Sequence, residues 1–166
     1  MATADDSTIE TILAAVDGSE HACRALAFGA ELAKRYGARV LVVGVYRHHS
    51  PLESTHSLVR GREEIESPDA ALGRLARETV EQGLSDARAQ GVGAVEGLVR
   101  RGPPARTIVA VAREHAVDVI VMGSRGLGDV EGVLLGSVSH KVSSLAECTV
   151  ITVKPGFRAG TKRPAA

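Results

Sequence analysis

The chain has 166 residues and no net formal charge at pH 7, with 44 % apolar and 24 % charged residues. This length suits one domain and this balance is ordinary for a globular protein, which argues against a disordered chain and against a fibrous repeat. No apolar stretch reaches the roughly 18 residues that a membrane helix needs, and the beginning, MATADDSTIE, is acidic where a signal peptide is basic. We therefore expect a cytoplasmic protein that does not enter a membrane.

Strand-like and helix-like patterns alternate along the chain. The first apolar run ends at Asp17, and residues 40–45 are apolar at every position, as in a strand that helices cover on both faces. The segments between such runs repeat apolar residues at helical spacing, with start signals such as Ser67-Pro68. The predicted elements are strands at 8–16, 40–45, 95–99, 117–122 and 149–153 and helices at 20–36, 68–90, 105–115 and 137–146.

This alternation predicts the fold class. Strands separated by helices favour right-handed crossovers, which build one parallel sheet. We therefore predict a doubly wound α/β fold, with a five-stranded parallel sheet and helices on both faces, in a single domain at 8–154. Residues 1–7 would be an N-terminal extension and residues 155–166 a basic, disordered tail. Ligands of such sheets bind beyond the carboxyl ends of the strands, so the loops after the first and fourth strands are the expected binding region.

Charge and cysteine content restrict the partners of the chain. Residues 154–166 hold four cationic residues and no acid, so the rest has sixteen cationic against twenty acidic residues and a net charge of −4. This negative charge outside residues 154–166, with four aromatic residues in the whole chain, argues against a nucleic-acid partner. Cys23 and Cys148 belong to no metal-binding spacing, which indicates free thiols in a reducing compartment. The three histidines between 46 and 67 lack a regular element to hold them, so we expect a solvated loop there and no metal site.

A glycine-rich segment follows the fourth predicted strand. Gly123, Gly126, Gly136 and Ser137 form the pattern G-x2-G-x9-G-[ST], which arises by accident in a chain of this composition on the order of 2 % of the time. Glycines let the backbone approach a ligand closely, and a helix that starts at Ser137 favours an anion such as phosphate. A phosphate cradle is thus one interpretation, and a flexible loop in which Ser137 caps the helix is the other. A P-loop and a dinucleotide fingerprint are disfavoured, because no Gly-Lys dipeptide occurs and no G-x-G-x-x-G follows the first strand.

With this motif, the chain resembles the universal stress proteins of the nucleotide-binding type. The shared segments are ILAAVDGS at the end of the first strand, the strand VLVVGV, the segment GPPARTIVAVAREHAVDVIVMGSRG and the glycine motif. They cover nearly all of the predicted domain. The resemblance implies an adenine-nucleotide α-hydrolase-like fold, ATP as the bound ligand, and a homodimer formed through the last strand.

The resemblance also implies binding residues at the ends of the first two strands. Asp17 and Val45 would hold the adenosine, and Ala15 and Val16 would line the base pocket. Ala15 stands where some ATP-binding relatives have proline. On the residues alone, Asp17 followed by Glu20 is equally typical of a capping box, and Val45 is typical of a strand end in the core.

The fourth strand and the glycine motif would supply the remaining contacts. By the same resemblance, Met122 and Gly123 would contact the nucleoside, although a methionine at this position is also typical of a core. Arg125 lies in the variable part of the loop, where the resemblance does not specify its contacts. The phosphates would be bound by backbone and hydroxyl groups of Gly126, Gly136, Ser137 and Val138.

Three functions are compatible with these residues. We predict an ATP-binding regulatory or stress-response protein that senses or sequesters adenine nucleotide, because no Walker lysine, paired carboxylates or general base accompanies the phosphate loop. A second hypothesis is slow ATP hydrolysis, with Mg²⁺ or Mn²⁺ bridging the phosphates; the chain lacks the Ser-Gly-Gly-x-Asp-Ser loop of enzymes of this superfold that release pyrophosphate. A third is a nucleotide-free dimeric interaction module, because an apolar strand 149–153 at a sheet edge needs a cover.

Overall fold

The computed structural model describes residues 8–47, 67–126, 135–154 and 156. Within these ranges strands and helices alternate in the predicted order. The elements are β1 (Thr11–Val16), α1 (Glu20–Tyr36), β2 (Arg39–Tyr46), α2 (Pro68–Ala89), β3 (Val95–Arg101), α3 (Pro104–Glu114), β4 (Val119–Gly123), α4 (Ser137–Leu145) and β5 (Thr149–Val153). No helix in these ranges is long and apolar enough to cross a bilayer. The predicted extension 1–7, the histidines of the loop 46–67 and all of the predicted tail except Gly156 lie outside the described residues.

All five strands pair in parallel, in the order β3-β2-β1-β4-β5. The predicted doubly wound α/β fold is confirmed. The chain winds from β1 outward to β2 and β3 and then returns to β4 and β5, so the direction of winding reverses between β1 and β4. At that point the register places Ala15 opposite both Val43 and Met122. β5 lies at one edge of the sheet, as predicted, and β3 lies at the other.

Helices cover both faces of the sheet. α1 and α2 pack against the face where Ile12 and Val42 are fully buried, and α3 and α4 pack against the face where Leu13 and Ile120 are fully buried. Successive residues such as Ile12 and Leu13 point to opposite faces because a strand has a period of two. Each side chain buried in this way stabilises the fold by roughly 1.5–3 kcal/mol. The central strands are therefore apolar at nearly every position.

Glycines bring α2 close to the sheet. A Cβ atom on Gly83 would lie 2.9 Å from the Val42 side chain, and one on Gly44 would lie 2.8 Å from Val80. Neither distance is compatible with a real Cβ atom in these positions. The low helix propensity of Gly83 predicts a weaker helix, but the structure shows that this glycine also allows the helix to pack against β2.

Several element bounds differ from the predicted ones. β1 begins at Thr11 and not at residue 8. Asp118 Oδ2 accepts hydrogen bonds of 2.9 Å from the backbone N–H groups of Glu10 and Thr11, before the pairing of β1 with β4 begins at Ile12. β4 likewise begins at residue 119 and not at 117. β3 runs to Arg101 and not to residue 99, because its pairing with β2 continues as far as Tyr46. Helix bounds agree with the predictions within one residue.

Candidate functional site

A cleft opens at the carboxyl ends of β1, β2 and β4, where the winding reverses. Its volume is about 420 Å³, within the roughly 300–1,000 Å³ that is usual for small-molecule sites. Ten of the eleven residues predicted for binding line it: Ala15, Val16, Asp17, Val45, Met122, Gly123, Arg125, Gly126, Ser137 and Val138. Gly136 is not among the lining residues and lies directly before Ser137 as the N-cap of α4. The structure therefore brings residues from three strand ends and one helix start to the same place.

The inner wall of the cleft is apolar. Ala15, Val43 and Met122 form one row across β2, β1 and β4 and lie on the face of the sheet that α3 covers. Ile108 of α3 completes the wall, and Val45 extends it toward the end of β2. A wall of this kind accepts a flat apolar group and offers it no charge.

Asp17 lies at the exposed mouth of the cleft. Its Oδ1 accepts a hydrogen bond of 2.9 Å from the backbone N–H of Ser19. Ser19 in turn is the N-cap of α1, and its Oγ accepts a hydrogen bond of 3.2 Å from the backbone N–H of Ala22. The alternative in which Asp17 and Glu20 form a capping box is therefore wrong, because Ser19 occupies the cap position. Asp17 is held by a tight turn, and it adds a negative charge and hydrogen-bond acceptors to the mouth.

The start of α4 is tied to the end of β4. The carbonyl oxygen of Ser124 accepts a hydrogen bond of 2.7 Å from the backbone N–H of Gly136. The buried Ser139 hydroxyl lies 3.0 Å from the same oxygen and 2.9 Å from the carbonyl oxygen of Gly136, so it donates its hydrogen to one or the other. These bonds hold the first turn of α4 beside the cleft.

Ser137 is exposed at this start and is the first residue of the helix. The alternative in which Ser137 caps the helix is wrong, because Gly136, which has no side chain, occupies the cap position. The backbone N–H groups of the first turn have no acceptor within the helix, and the helix dipole adds partial positive charge there. This arrangement suits an anion, with the Ser137 hydroxyl as a further hydrogen-bond partner.

Gly123 has a packing role that the sequence motif does not predict. A Cβ atom here would lie 2.9 Å from the Cβ of His21 and 3.0 Å from the carbonyl oxygen of Arg125. Glycine at this position therefore lets the end of β4 approach the first turn of α1. The first glycine of the motif has a structural reason that is independent of any ligand.

Six residues that line the cleft were not predicted as site residues: Ala22, Val43, Arg47, Pro104, Ile108 and Ser139. Arg47 follows β2 directly, and Pro104 begins α3 after β3. A partial signal was present, because the carboxyl ends of parallel strands such as β2 and β3 lie at one edge of a sheet. The strand order that makes them neighbours is known only from the structure.

The ionisable groups of the cleft are few. Asp17 is the one carboxylate, and Arg47 and Arg125 are the two cations, among the lining residues that the structure describes. Within the same described ranges, no three His, Cys, Asp or Glu side chains are clustered closely enough to hold a metal ion. Cys23, in the first turns of α1, is a free thiol. Burial raises its pKa, and the charges of Asp86 and Asp17 raise it further, so it is protonated at neutral pH.

The fold and the cleft define a class, namely doubly wound α/β domains with a cleft where the strand order reverses. The model of the universal stress protein family matches residues 8–154. Over 146 residues the chain is 40 % identical to the Universal stress protein in QAH/OAS sulfhydrylase 3'region of Thermus aquaticus, covering 87 % of this chain and 98 % of that protein. Over 150 residues it is 34 % identical to universal stress protein YxiE of Bacillus subtilis, covering 86 % and 97 %. The chain belongs to the universal stress protein family, as the resemblance predicts.

Solved structures share the fold. Universal stress protein UspA from Lactobacillus plantarum has a TM-score of 0.74 at 24 % identity and covers 89 % of this chain and 99 % of its own. A universal stress protein in complex with cAMP has a TM-score of 0.67 at 24 % identity, covering 89 % and 98 %. The universal stress protein from Archaeoglobus fulgidus in complex with dAMP has a TM-score of 0.62 at 27 % identity, covering 88 % and 98 %. The structural neighbours of this chain thus include proteins that bind adenine nucleotides.

Proposed function

We propose that this chain binds ATP in the cleft and acts as a regulatory stress-response protein that senses or sequesters adenine nucleotide. The observation that carries the proposal is the meeting, in one cleft, of the apolar wall at Ala15 and Met122 with the start of α4 at Ser137, where the cap residue Gly136 has no side chain. An adenine base fits the apolar wall, and phosphates fit the start of the helix. The dAMP complex of the Archaeoglobus fulgidus relative supports an adenine ligand.

The nucleoside half of the ligand would occupy the wall below α3. Ala15, Val16, Val45 and Met122 offer apolar contact to the adenine ring, which loses water on entering the cleft. The Asp17 carboxylate at the mouth can accept hydrogen bonds from the donor groups of adenosine. Gly123 lies at the end of the same wall, so its backbone is near the nucleoside.

The phosphate half would lie along the loop and the start of α4. The backbone N–H groups of Ser137 and Val138 and the hydroxyl group of Ser137 lie at the end of the helix that favours anions. Gly126 lines the same part of the cleft, and Gly136 precedes Ser137. Arg47 and Arg125 add two positive charges, which favours a polyphosphate over a nucleoside.

Turnover of ATP is slow at most in this proposal. An efficient hydrolase positions a water molecule with a base or with metal-holding carboxylates. Of the described residues that line the cleft, Asp17 alone is a carboxylate and none is a histidine. Mg²⁺ or Mn²⁺ would enter with the phosphates of the nucleotide, which supply the oxygen ligands that these ions prefer.

The test is calorimetric titration of ATP into the dialysed protein and two double variants. Gly136→Val with Ser137→Ala alters the start of α4. Gly93→Val with Ser85→Ala makes the same chemical changes at positions away from the cleft, where a Cβ on residue 93 meets nothing within 4 Å. We expect ATP binding by the wild type and the control and no binding by the α4 variant. Unchanged binding heats in the α4 variant would reject the proposal.

We further propose that the protein is a homodimer formed through β5. This strand is at the edge of the sheet, and its apolar residues Val150 and Ile151 are only half-buried. An apolar edge with unpaired backbone groups is a ready surface for a second strand. If the dimer forms without nucleotide affinity, the chain is a dimeric interaction module.

We place the protein in the cytoplasm, where free thiols such as Cys23 and Cys148 stay reduced.

A further inference from the structure

A second groove lies between α3 and α4 and adjoins the nucleotide cleft. Its volume is about 620 Å³. It shares Arg47, Pro104, Ser137 and Val138 with the cleft, so the two spaces meet at the start of α4. A ligand whose phosphates lie at Ser137 would therefore point its far end into this groove.

The groove is strongly cationic. Arg47, Arg106 and Lys141 line it together with His140, and no carboxylate is among its described lining residues. Arg47, Arg106 and Lys141 form no ion pair within residues 8–47, 67–126 and 135–154, whereas Arg113 at the other end of α3 is paired with Glu147 at 2.7 Å. Three cations without an ion-pair partner among the described residues are suited to an anion, in a domain whose net charge outside residues 154–166 is −4.

The far end of the groove carries an exposed apolar side chain. Leu145, the last residue of α4, is 47 % exposed and lines the groove at the end of the helix away from Ser137. This side chain offers a surface on which a ring can pack, at the end of a path that begins at the phosphate site. The order along the path is thus an apolar wall, an anion site, cationic side chains and a second apolar surface.

We propose that the groove receives the second half of a dinucleoside polyphosphate, whose first adenosine occupies the cleft. This inference rests on the proposed function, because the first half of the ligand is the nucleotide assigned to the cleft. Arg106 and Lys141 contact the distal phosphates, and the surface at Leu145 carries the second nucleoside. The phosphates of ATP alone would leave most of a groove of about 620 Å³ unfilled.

The experiment compares ATP with diadenosine tetraphosphate by calorimetric titration of the wild type and two double variants. Arg106→Ala with Lys141→Ala removes two groove cations that do not line the cleft. Arg35→Ala with Arg88→Ala removes the same charge from the C-terminal ends of α1 and α2, at the opposite edge of the sheet. We expect the wild type and the control to bind diadenosine tetraphosphate about tenfold more tightly than ATP. The groove variant should lose this preference and keep its ATP affinity within about twofold.

Other results would overturn the inference in distinguishable ways. Equal affinity of the wild type for the two ligands would refute the second subsite and leave the proposed function intact. Equal weakening of both ligands in the groove variant would show that the groove serves the phosphates of ATP itself. Binding of a polyglutamate peptide that depends on Arg106 and Lys141, without a preference for the dinucleotide, would assign the groove to a protein partner. Failure of both nucleotides to bind the wild type would reject the proposed function as well.

Discussion

The hydroxyl group of Ser139 lies 3.0 Å from the carbonyl oxygen of Ser124, and this contact joins the first turn of α4 to the end of β4. Ser124 is itself held to the edge strand, because its backbone N–H donates a hydrogen bond of 2.9 Å to the carbonyl oxygen of Val153. The helix start that we assign to the phosphates is therefore positioned by buried polar groups at the ends of β4 and β5. The position of this turn, and not its composition alone, decides whether its N–H groups face the cleft.

The first prediction concerns Ser139. Replacing this buried residue in Ser139→Ala removes the hydroxyl and should lower the free energy of unfolding by about 1–2 kcal/mol. The first turn of α4 should also become less well positioned, so ATP affinity should fall by about tenfold. Urea unfolding and calorimetric titration measure the two effects.

Ser143→Ala is the matched control for Ser139→Ala. The Ser143 hydroxyl donates to the carbonyl oxygen of Ser139, one turn earlier in the same helix, and such a bond adds little to helix stability. We expect a change below about 0.5 kcal/mol and unaltered ATP affinity in this variant. Equal effects of the two substitutions would contradict the positioning role of Ser139.

The second prediction concerns the contact between Gly123 and His21. In Gly123→Ala, the new methyl group would lie 2.9 Å from the Cβ of His21, so β4 or α1 must shift. We expect a loss of about 1–3 kcal/mol in the free energy of unfolding. Gly93→Ala is the control, because its Cβ would meet nothing within 4 Å. Thermal unfolding of both variants without ligand isolates this packing role, and equal melting temperatures would count against it.

The third prediction concerns the dimer. Light scattering should give twice the 17.3 kDa mass of one chain. Val150→Lys places a charge on the half-buried edge strand β5 and should yield a monomer, because like charges would face each other across the paired strands. Val99→Lys makes the same change on β3, the opposite edge strand, and should leave the dimer intact. A monomeric wild type at tens of micromolar, or dissociation by both variants, would refute pairing through β5.

The fourth prediction concerns the two thiols. Burial raises the pKa of both Cys23 and Cys148, and the carboxylate of Asp86 raises that of Cys23 further. Both thiols should therefore react more slowly with a disulfide reagent at pH 8 in the folded protein than in the unfolded chain. Because the folded-state pKa is the higher one, the stability contributed by each protonated thiol is present below the unfolded-state pKa and is lost as pH rises through the folded-state pKa.

The Asp86→Asn variant distinguishes the electrostatic effect on Cys23 from that on Cys148. Removing this charge should lower the pKa of Cys23 and increase its reaction rate, without changing Cys148, whose pKa Asp86 does not affect. The rates are measured as a function of pH in Cys148→Ser and Cys23→Ser backgrounds. Equal acceleration of the two thiols would show a general loosening of the fold and would contradict the electrostatic explanation.

Local sequence patterns predicted the bounds of α1 correctly but did not identify its N-cap residue. The helical period and Gly37 give the observed bounds, and Gly37 has the positive φ of 69° that a left-handed C-cap requires. At the other end, Asp17 and Ser19 both have side chains that can cap a helix. Which of them does so depends on where the strand ends and the chain turns, and that is a matter of tertiary position.

The candidate site likewise combines residues that the sequence predicted with residues that only the structure revealed. The glycine motif and the family resemblance predicted ten of the residues that line the cleft, but not the other six: Ala22, Val43, Arg47, Pro104, Ile108 and Ser139. The cationic groove between α3 and α4 also has no sequence motif, because Arg106 and Lys141 belong to different helices.

The sequence by itself determined the alternation of strands and helices, the fold class and the family, because these depend on local periodicity and on short motifs. Only the tertiary structure decided the strand order, the row formed by Ala15, Val43 and Met122, the packing of Gly123 against His21 and the continuity of cleft and groove. The physical reason is that strand pairing and helix packing join segments far apart in the chain, and their geometry follows from how buried side chains fit together.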